Sequence, residues 1–430
     1  MKYDKIPQQL FIKNRQKAIN KIHQNSAIIL VSNDEMPRTA DQYFSFRQNS
    51  DFLYFSGIDQ EESILIIAPQ HLNKKYREAL FLKKTNEHIA IWEGHKYTKE
   101  EAKEISGIEN IYWLEDFEAI LRDVMAQSQN IYLNISEDIR FQPVVERNEK
   151  RFYKELKEKF PLHQYQRFAP IVNELRTVKE TEEIELLKRA CEITEKAFYK
   201  TIKHVKPGVW EYELEAEMTA EMIRNRATGH SFPPIIASGR SSCVLHYINN
   251  NKQLQDGDLL LMDFGAEYAN YAGDITRTIP VNGKFSPRQR EVYQACLNVY
   301  NEAKKMFVPG NTINKLHAEV CKIMEKELIK IGLLKQEDVD KQNPEQPLFR
   351  KYFMHGTSHF IGLDVHDVGS KDAIFEKGMV LSCEPGIYIL EENIGIRIET
   401  DIVVDDNPID LMANVPVEID DIEALMAKNK

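Results

Sequence analysis

Four acidic residues close or interrupt apolar, β-branched runs in the second half of this 430-residue chain. Asp263 ends the run in LLLMDFG, and Asp274 opens DITRTI eleven residues later. Glu384 follows MVLSC just before a Pro-Gly pair, and Glu399 lies in GIRIETD. An ionised carboxylate on a buried strand is costly unless a cation or several donors meet it. One such acid has an ordinary explanation as a turn cap, but four together with histidines do not. MHGTSHFIGLDVHD holds His355, His359 and His366 beside Gly356 and Gly362, which permit close backbone approach. Two divalent cations would balance the four carboxylates. Oxygen-dominated ligation with one imidazole suits a hard ion such as Mn(II) better than structural zinc, which prefers Cys and His. A paired site is also where a bridging water becomes hydroxide near neutral pH, and that chemistry points to hydrolysis.

Elements must hold these groups in one crevice. LLLMDFG and DITRTI read as strands joined by the hairpin connection AEYANYAG, so Asp263 and Asp274 can face the same side. Alternation in NIGIRIETDIVV sets Ile394, Ile396 and Ile398 on one face and Gly395, Arg397 and Glu399 on the other. Upstream, Thr181 is expected to cap a helix with Glu182 and Glu183 in its first turn. A later helix opens with Ser286, Pro287 and Gln289, an N-cap, a first-position proline and a capping-box acceptor.

An internal repeat frames these elements. KPGVWEYELEAEMTAEM and VPGNTINKLHAEVCKIM align from Pro207 and Pro309, matching Leu214 with Leu316, Ala216 with Ala318, Glu217 with Glu319 and Met222 with Met324. Helix, Pro-Gly turn, helix and strands, repeated, predict a pseudo-symmetric domain with its ligand site between the halves.

The first half lacks any cluster of potential ligands. Ala27–Val31, Phe52–Phe55 and Ser63–Ala68 read as short strands, and Gln8–His23 and Lys99–Glu104 as helices. Assembly and shaping of an active-site entrance are the roles left to it. The texture changes at residues 170–178, giving domains of 1–174 and 175–430, and 430 residues carry a two-domain prior in any case. The fold class is α/β (α+β).

With 56 basic and 67 acidic residues the net charge is −11, which argues against nucleic acid or an anionic membrane as the main partner. No run approaches the ~20 apolar residues of a membrane span, and none reads as a signal peptide. Five cysteines without a CxxC pair (Cys191, Cys243, Cys296, Cys321 and Cys383) read as reduced, packed thiols in a cytoplasmic protein.

DFGAEYANYAGDITRT, HGTSHFIGLDVHD, EPGIYI and GIRIETD resemble aminopeptidase P, the Xaa-Pro aminopeptidases of the pita-bread metallopeptidases. FSFRQNSDFLYFSGI resembles that family's N-terminal domain, so the likeness spans nearly the whole chain. The wider superfamily also holds prolidase, methionine aminopeptidase and creatinase. The resemblance implies a small α/β N-terminal domain followed by a pita-bread catalytic domain with two Mn(II) ions. It implies that Asp263 chelates one metal, that Asp274 and Glu399 bridge both, and that His359 and Glu384 complete the other. Glu384 would also handle the proton of the bridging water. His246, in CVLHY, would contact substrate and steady the tetrahedral intermediate; His366 would bind near the scissile carbonyl, and His355 would line the same pocket. Tyr388 and Arg397 match groups behind the ligands, so the resemblance implies that Tyr388 contacts substrate and that Arg397 serves catalysis, and an orienting partner for ligating carboxylates is expected physically. Trp92 matches a tryptophan that reaches a neighbouring subunit's site, and a homodimer or homotetramer is implied.

An N-terminal domain of about 175 residues is not expected of methionine aminopeptidase, and HGTSH with Ser358 resembles aminopeptidase P more than the HGLGH of prolidase. The expected reaction is removal of an N-terminal residue preceding proline. The rivals are prolidase, which cuts dipeptides, and a non-catalytic peptide-binding module, which would be expected to lose ligands that this chain keeps.

Overall fold

A computed structural model of the chain describes residues 3–137 and 143–428. It divides into two compact units, Asp4–Arg176 and residues 177–428, with Tyr3 counted in the second.

The first unit is built on a six-stranded mixed sheet, in the order Asn110–Trp113, Glu78–Leu82, Ile64–Ile67, Ser26–Val31, Asn130–Leu133 and Gln164–Arg167. All six residues of Ser26–Val31 are buried. A strand covered on both faces reads as a continuous apolar run, which is why no alternation marks it in the sequence. It pairs antiparallel with Ile64–Ile67 and parallel with Asn130–Leu133. Ala27, Ile29, Ile66, Phe81, Leu121 and Val124 share the core on one side of the sheet.

Phe52–Phe55 is a helix, not a strand. Ser50–Ser56 is helical, with Asn49 accepting from the Asp51 and Phe52 N–H groups and Gly57 ending it at φ 68°. The four apolar residues are all buried, so the run alone does not distinguish strand from helix; the Asn cap and the left-handed Gly decide. The two expected helices are Gln8–Ile19 and Lys99–Ser106, the latter closed by a Thr98/Glu101 capping box. Trp92 lies on the short helix Glu87–Glu93, which has no buried residue, and is 78% exposed.

The second unit carries the repeat as structure. Thr181–Thr201 and Glu211–Arg224 precede three antiparallel strands, Ile235–Ser238, Leu259–Phe264 and Ile275–Pro280. Pro287–Lys304 and Ile313–Lys330 precede Val380–Cys383, Gly386–Ile389, Ile394–Arg397 and Thr400–Val403. Gly208 and Gly310 take φ of 91° and 90° at equivalent turns, a conformation glycine adopts without cost. Leu214 and Leu316 are fully buried, as are Met222 and Met324, whereas the matched Ala216 and Ala318 face solvent. The repeat is therefore one of packing positions. The Ser286 box forms as expected. The cap of Thr181–Thr201, however, is Glu180, whose N–H donates to the Glu183 carboxylate at 2.9 Å. A capping box needs its acceptor three residues inside the helix, and Glu183 meets that spacing only from Glu180.

Candidate metal centre

Each half of the repeat delivers two acids. Asp263 sits on Leu259–Phe264 opposite Thr276, and Asp274 directly precedes Ile275–Pro280. Glu384 occupies the break between Val380–Cys383 and Gly386–Ile389, and Glu399 the break between Ile394–Arg397 and Thr400–Val403. Backbone bonds pin three of these positions: Asp274 N–H to Asp401 Oδ2 (3.0 Å), Glu384 N–H to the Thr357 carbonyl (2.9 Å) and Glu399 N–H to the Thr276 carbonyl (3.1 Å).

Ligand atoms of Asp274, His359 and Glu399 all lie within 4.8 Å of one another. His359 Nε2 is 3.5 Å from Asp274 Oδ2 and 3.7 Å from Glu384 Oε1. Its Nδ1 lies 3.0 Å from the Phe360 carbonyl, so the proton belongs on Nδ1 and the Nε2 lone pair faces the acids. Asp263 is held by Arg397, Nη2 to Oδ2 at 2.5 Å. These residues, with His246, His355 and His366, line one cleft of about 320 Å³. The rest of the lining is apolar: Phe232, Pro233, Ile235, Leu245, Ile248 and Val365.

Tyr388 does not line the cleft. It is buried, and its hydroxyl accepts from Arg397 Nη1 (2.8 Å) and meets His355 Nε2 (2.9 Å). His355 Nδ1 is 2.7 Å from the Gly356 carbonyl, so Nδ1 donates and Nε2 accepts the tyrosyl proton. Burial, with Arg397 nearby, pushes the His355 pKa down to about 3 and keeps the ring neutral. Arg397 thus donates on one side to Asp263 and on the other to Tyr388, which donates its own proton to His355. The His366 ring centroid is 4.4 Å from that of His359. His246 is exposed in the cleft and makes no hydrogen bond to a described residue, so it is not a core histidine bonded to a carbonyl.

Sequence reasoning passed over three supports. Thr276 Oγ1 donates to Glu399 Oε2 at 2.5 Å and accepts from Arg397 Nε at 3.0 Å. Ser382 Oγ accepts from the His359 N–H and donates to Glu384 at 3.4 Å. Asp401, fully buried, takes both the Asp274 N–H and the Cys191 thiol. Hydroxyls and an acid inside otherwise apolar strands were the available signal.

The donor set fits divalent cations. Asp263 Oδ1 and Asp274 Oδ1 are buried without a hydrogen-bond partner among the described residues, and such orphans cost ~1–3 kcal/mol or more when charged. Burial, then repulsion from Glu399 and Asp263, holds Asp274 well above the carboxylate range. Burial, then Asp263 and Glu384, does the same to Glu399. Burial pushes Glu384 up to about 8, against the opposing pull of Arg397. Cations among these oxygens would reverse each cost.

The match to known families agrees with this chemistry. Residues 185–406 match the model of metallopeptidase family M24, and residues 11–132 match the aminopeptidase P N-terminal domain. The chain belongs to metallopeptidase family M24, and its second unit has the pita-bread fold. Among its relatives, the Xaa-Pro aminopeptidases of Escherichia coli and Haemophilus influenzae are each 36% identical, over 98% of this chain and 98% of theirs. Zinc-substituted E. coli aminopeptidase P in complex with product superposes with a TM-score of 0.87 at 35% identity, over 99% of this chain and all of that one. Proline aminopeptidase P II from Yersinia pestis gives 0.86 at 35% identity, over 98% and 99%.

The raised carboxylates set a pH dependence. Between about pH 4.5 and 8 the metal-free fold retains a proton on Glu384 that the unfolded chain has lost. Stability of the metal-free protein should therefore fall as pH rises, by about 1.4 kcal/mol per pH unit for one retained proton. Divalent metal displaces such protons, so the metal-induced rise in Tm should be larger at pH 8 than at pH 5.5. Paired thermal melts check this, and an equal or smaller rise at pH 8 would contradict it.

Proposed function

We propose that this chain is a metal-dependent aminopeptidase that hydrolyses the bond between an N-terminal residue and a following proline. The observation that carries the reading is the convergence of Asp274, His359 and Glu399 within 4.8 Å, in a cleft lined also by Asp263 and Glu384. Full-length similarity to Xaa-Pro aminopeptidases supports the substrate class.

Asp263 would hold one ion, Asp274 and Glu399 both, and His359 and Glu384 the other, with two Mn(II) suited to this oxygen-rich set. When bound, two divalent ions supply the acidity that turns water into a nucleophile near neutral pH and positive charge for the developing oxyanion. Glu384 is the group that takes and holds the proton of the attacking water. His246, which has no hydrogen-bond partner among the described residues, donates a ring N–H to the oxyanion. His366 delivers a proton to the departing prolyl nitrogen. His355, kept neutral and oriented by Tyr388, flanks Glu384 with Nδ1 3.7 Å from Oε2. Arg397 acts through Asp263, Thr276 and Tyr388, as a positioning residue. Proline's bond is a tertiary amide without an N–H, so recognition rests on the free amine, the carbonyl and the apolar wall around the ring.

The chain's boundary of function is proposed at 174/175, with the N-terminal domain serving assembly. The 78%-exposed Trp92 supports a homodimer or homotetramer in which it reaches a neighbouring subunit. Unpaired cysteines, four of five buried, support a cytoplasmic setting. Among the described residues no helix is long and apolar enough to cross a membrane.

The test offers an Xaa-Pro dipeptide and an Xaa-Pro-Xaa tripeptide to the manganese-loaded protein side by side. Cleavage of the tripeptide well above the dipeptide is expected. Efficient cleavage of the dipeptide alone would reassign the chain to prolidase, and inactivity on both with metal bound would make it a binding module.

A further inference from the structure

A second cavity, of about 280 Å³, abuts the cleft and shares His355 with it as a wall. Its lining is cationic in an otherwise acidic chain: Lys371 and Arg350 meet His317, Asn314 and Ser358 there. Neither Lys371 nor Arg350 forms a contact ion pair with a carboxylate among the described residues, unlike Arg288, Lys304 and Lys377 of the same unit, although Lys371 adds positive potential at Glu384. The one side-chain bond of Arg350 is a 3.4 Å contact from Nη1 to the Glu345 carbonyl. Asn314 lies in the first turn of the eighteen-residue helix Ile313–Lys330; its N–H donates to the Lys371 carbonyl at 3.2 Å and its amide to Asp372 Oδ1 at 2.6 Å, so it ties the Lys371 segment to the cavity wall. An independent observation comes from Ser358. It is 4% exposed, and its hydroxyl has no hydrogen-bond partner among the described residues. A buried unmet hydroxyl in a cavity lined also by two cations that have no ion-pair partner among the described residues is chemistry suited to an oxyanion.

We infer that this cavity is a carboxylate subsite, which takes the C-terminal carboxylate of a short Xaa-Pro-Xaa peptide while its scissile bond lies in the cleft. The inference rests on the function proposed above. A carboxylate two residues past the scissile carbonyl can reach at most about 7 Å, and His355 lines both the cavity and the cleft, with its Nδ1 3.7 Å from Glu384. His317, held by Thr357 Oγ1 at 2.8 Å, also lines the cavity. Lys371 and Arg350 are both exposed, so the charge is set by side chains whose loss does not threaten the fold. The same oxyanion chemistry would admit free phosphate, and the test separates the two.

The manganese-loaded protein is assayed on a tripeptide and on its C-terminal amide, as wild type, as the double variant Lys371→Gln with Arg350→Gln, and as Lys371→Arg. Wild type should prefer the acid in kcat/KM by at least about tenfold, the size of a charge-assisted hydrogen bond. The double variant should bring the ratio to near one, and Lys371→Arg should keep most of it. A wild-type ratio near one, or a preference that survives in the double variant, overturns the inference. Calorimetric binding of prolyl-leucine against its amide keeps the subsite testable apart from catalysis. If no peptide is cleaved, the proposed function fails while tighter binding of the acid, lost in the double variant, still supports the carboxylate site. If acid and amide bind alike and only inorganic phosphate binding is lost in the double variant, the cavity takes a free anion and the peptide assignment falls.

Discussion

Asp274→Ala and Glu399→Ala should each release bound metal and abolish turnover, with elemental analysis showing less than stoichiometric metal in purified protein. Both acids sit at the centre of the cluster, with His359 Nε2 only 3.5 Å from Asp274 and the Glu399 carboxylate fixed by Thr276 at 2.5 Å. Each is the group through which both ions would be held, so either truncation removes a shared oxygen. The fall in kcat/KM should exceed about a thousandfold, because loss of a single oxyanion donor already costs ~10²–10³. Folding should survive in the metal-free state, since each truncation also removes a buried carboxylate whose ionisation is opposed by burial and by its neighbours. Tm of the metal-free variant should therefore equal or exceed that of the metal-free parent. Undiminished metal occupancy in either variant would contradict the shared-ligand assignment.

The acids were legible because each breaks a rule that the rest of its strand obeys. LLLM before Asp263 and VLSC before Glu384 are buried throughout, and a carboxylate there needs a reason. The repeat was legible because Leu214 and Leu316, and Met222 and Met324, fill equivalent core positions. What was not legible depended on partners distant in sequence. Thr276 is an ordinary strand threonine until Arg397 and Glu399, more than a hundred residues away, close on it. Tyr388 read as a substrate contact, yet its hydroxyl is consumed by His355 and Arg397. Phe52–Phe55 failed for the opposite reason, since burial on all sides erases the periodicity that separates helix from strand.

Duplication also explains why the centre is assembled as it is. Asp263 and Asp274 come from the first set of strands, Glu384 and Glu399 from the second, and neither set alone offers enough charge for two ions. The halves are joined at the site itself: Glu399 N–H donates to Thr276, Arg397 N–H donates to Thr278 Oγ1, and Arg277 Nη1 donates to the Glu399 carbonyl at 2.5 Å. The backbones of Asp274, Glu384 and Glu399 are thus each held by hydrogen bonds that do not depend on their own charge. Electrostatic cost is stored where cations can relieve it, and the geometry is held in advance.

His246 tests whether the cleft does chemistry beyond holding metal. It lies outside the five proposed ligands, in the segment Val244–Ile248 whose Val244, His246 and Ile248 are exposed, and its ring has no partner among the described residues. A histidine kept for packing would be buried and bonded, and this one is neither. If it donates to the oxyanion, His246→Ala should leave metal content and Tm unchanged. Turnover should fall by a factor of ~100–1,000, roughly 3–4 kcal/mol of transition-state stabilisation. The loss should appear in kcat more than in KM, because the oxygen it serves carries full charge only in the transition state. His246→Gln, which keeps an N–H donor, should recover part of the rate where alanine recovers none. A variant with normal kcat, or one whose loss lies wholly in Tm, would remove His246 from the reaction.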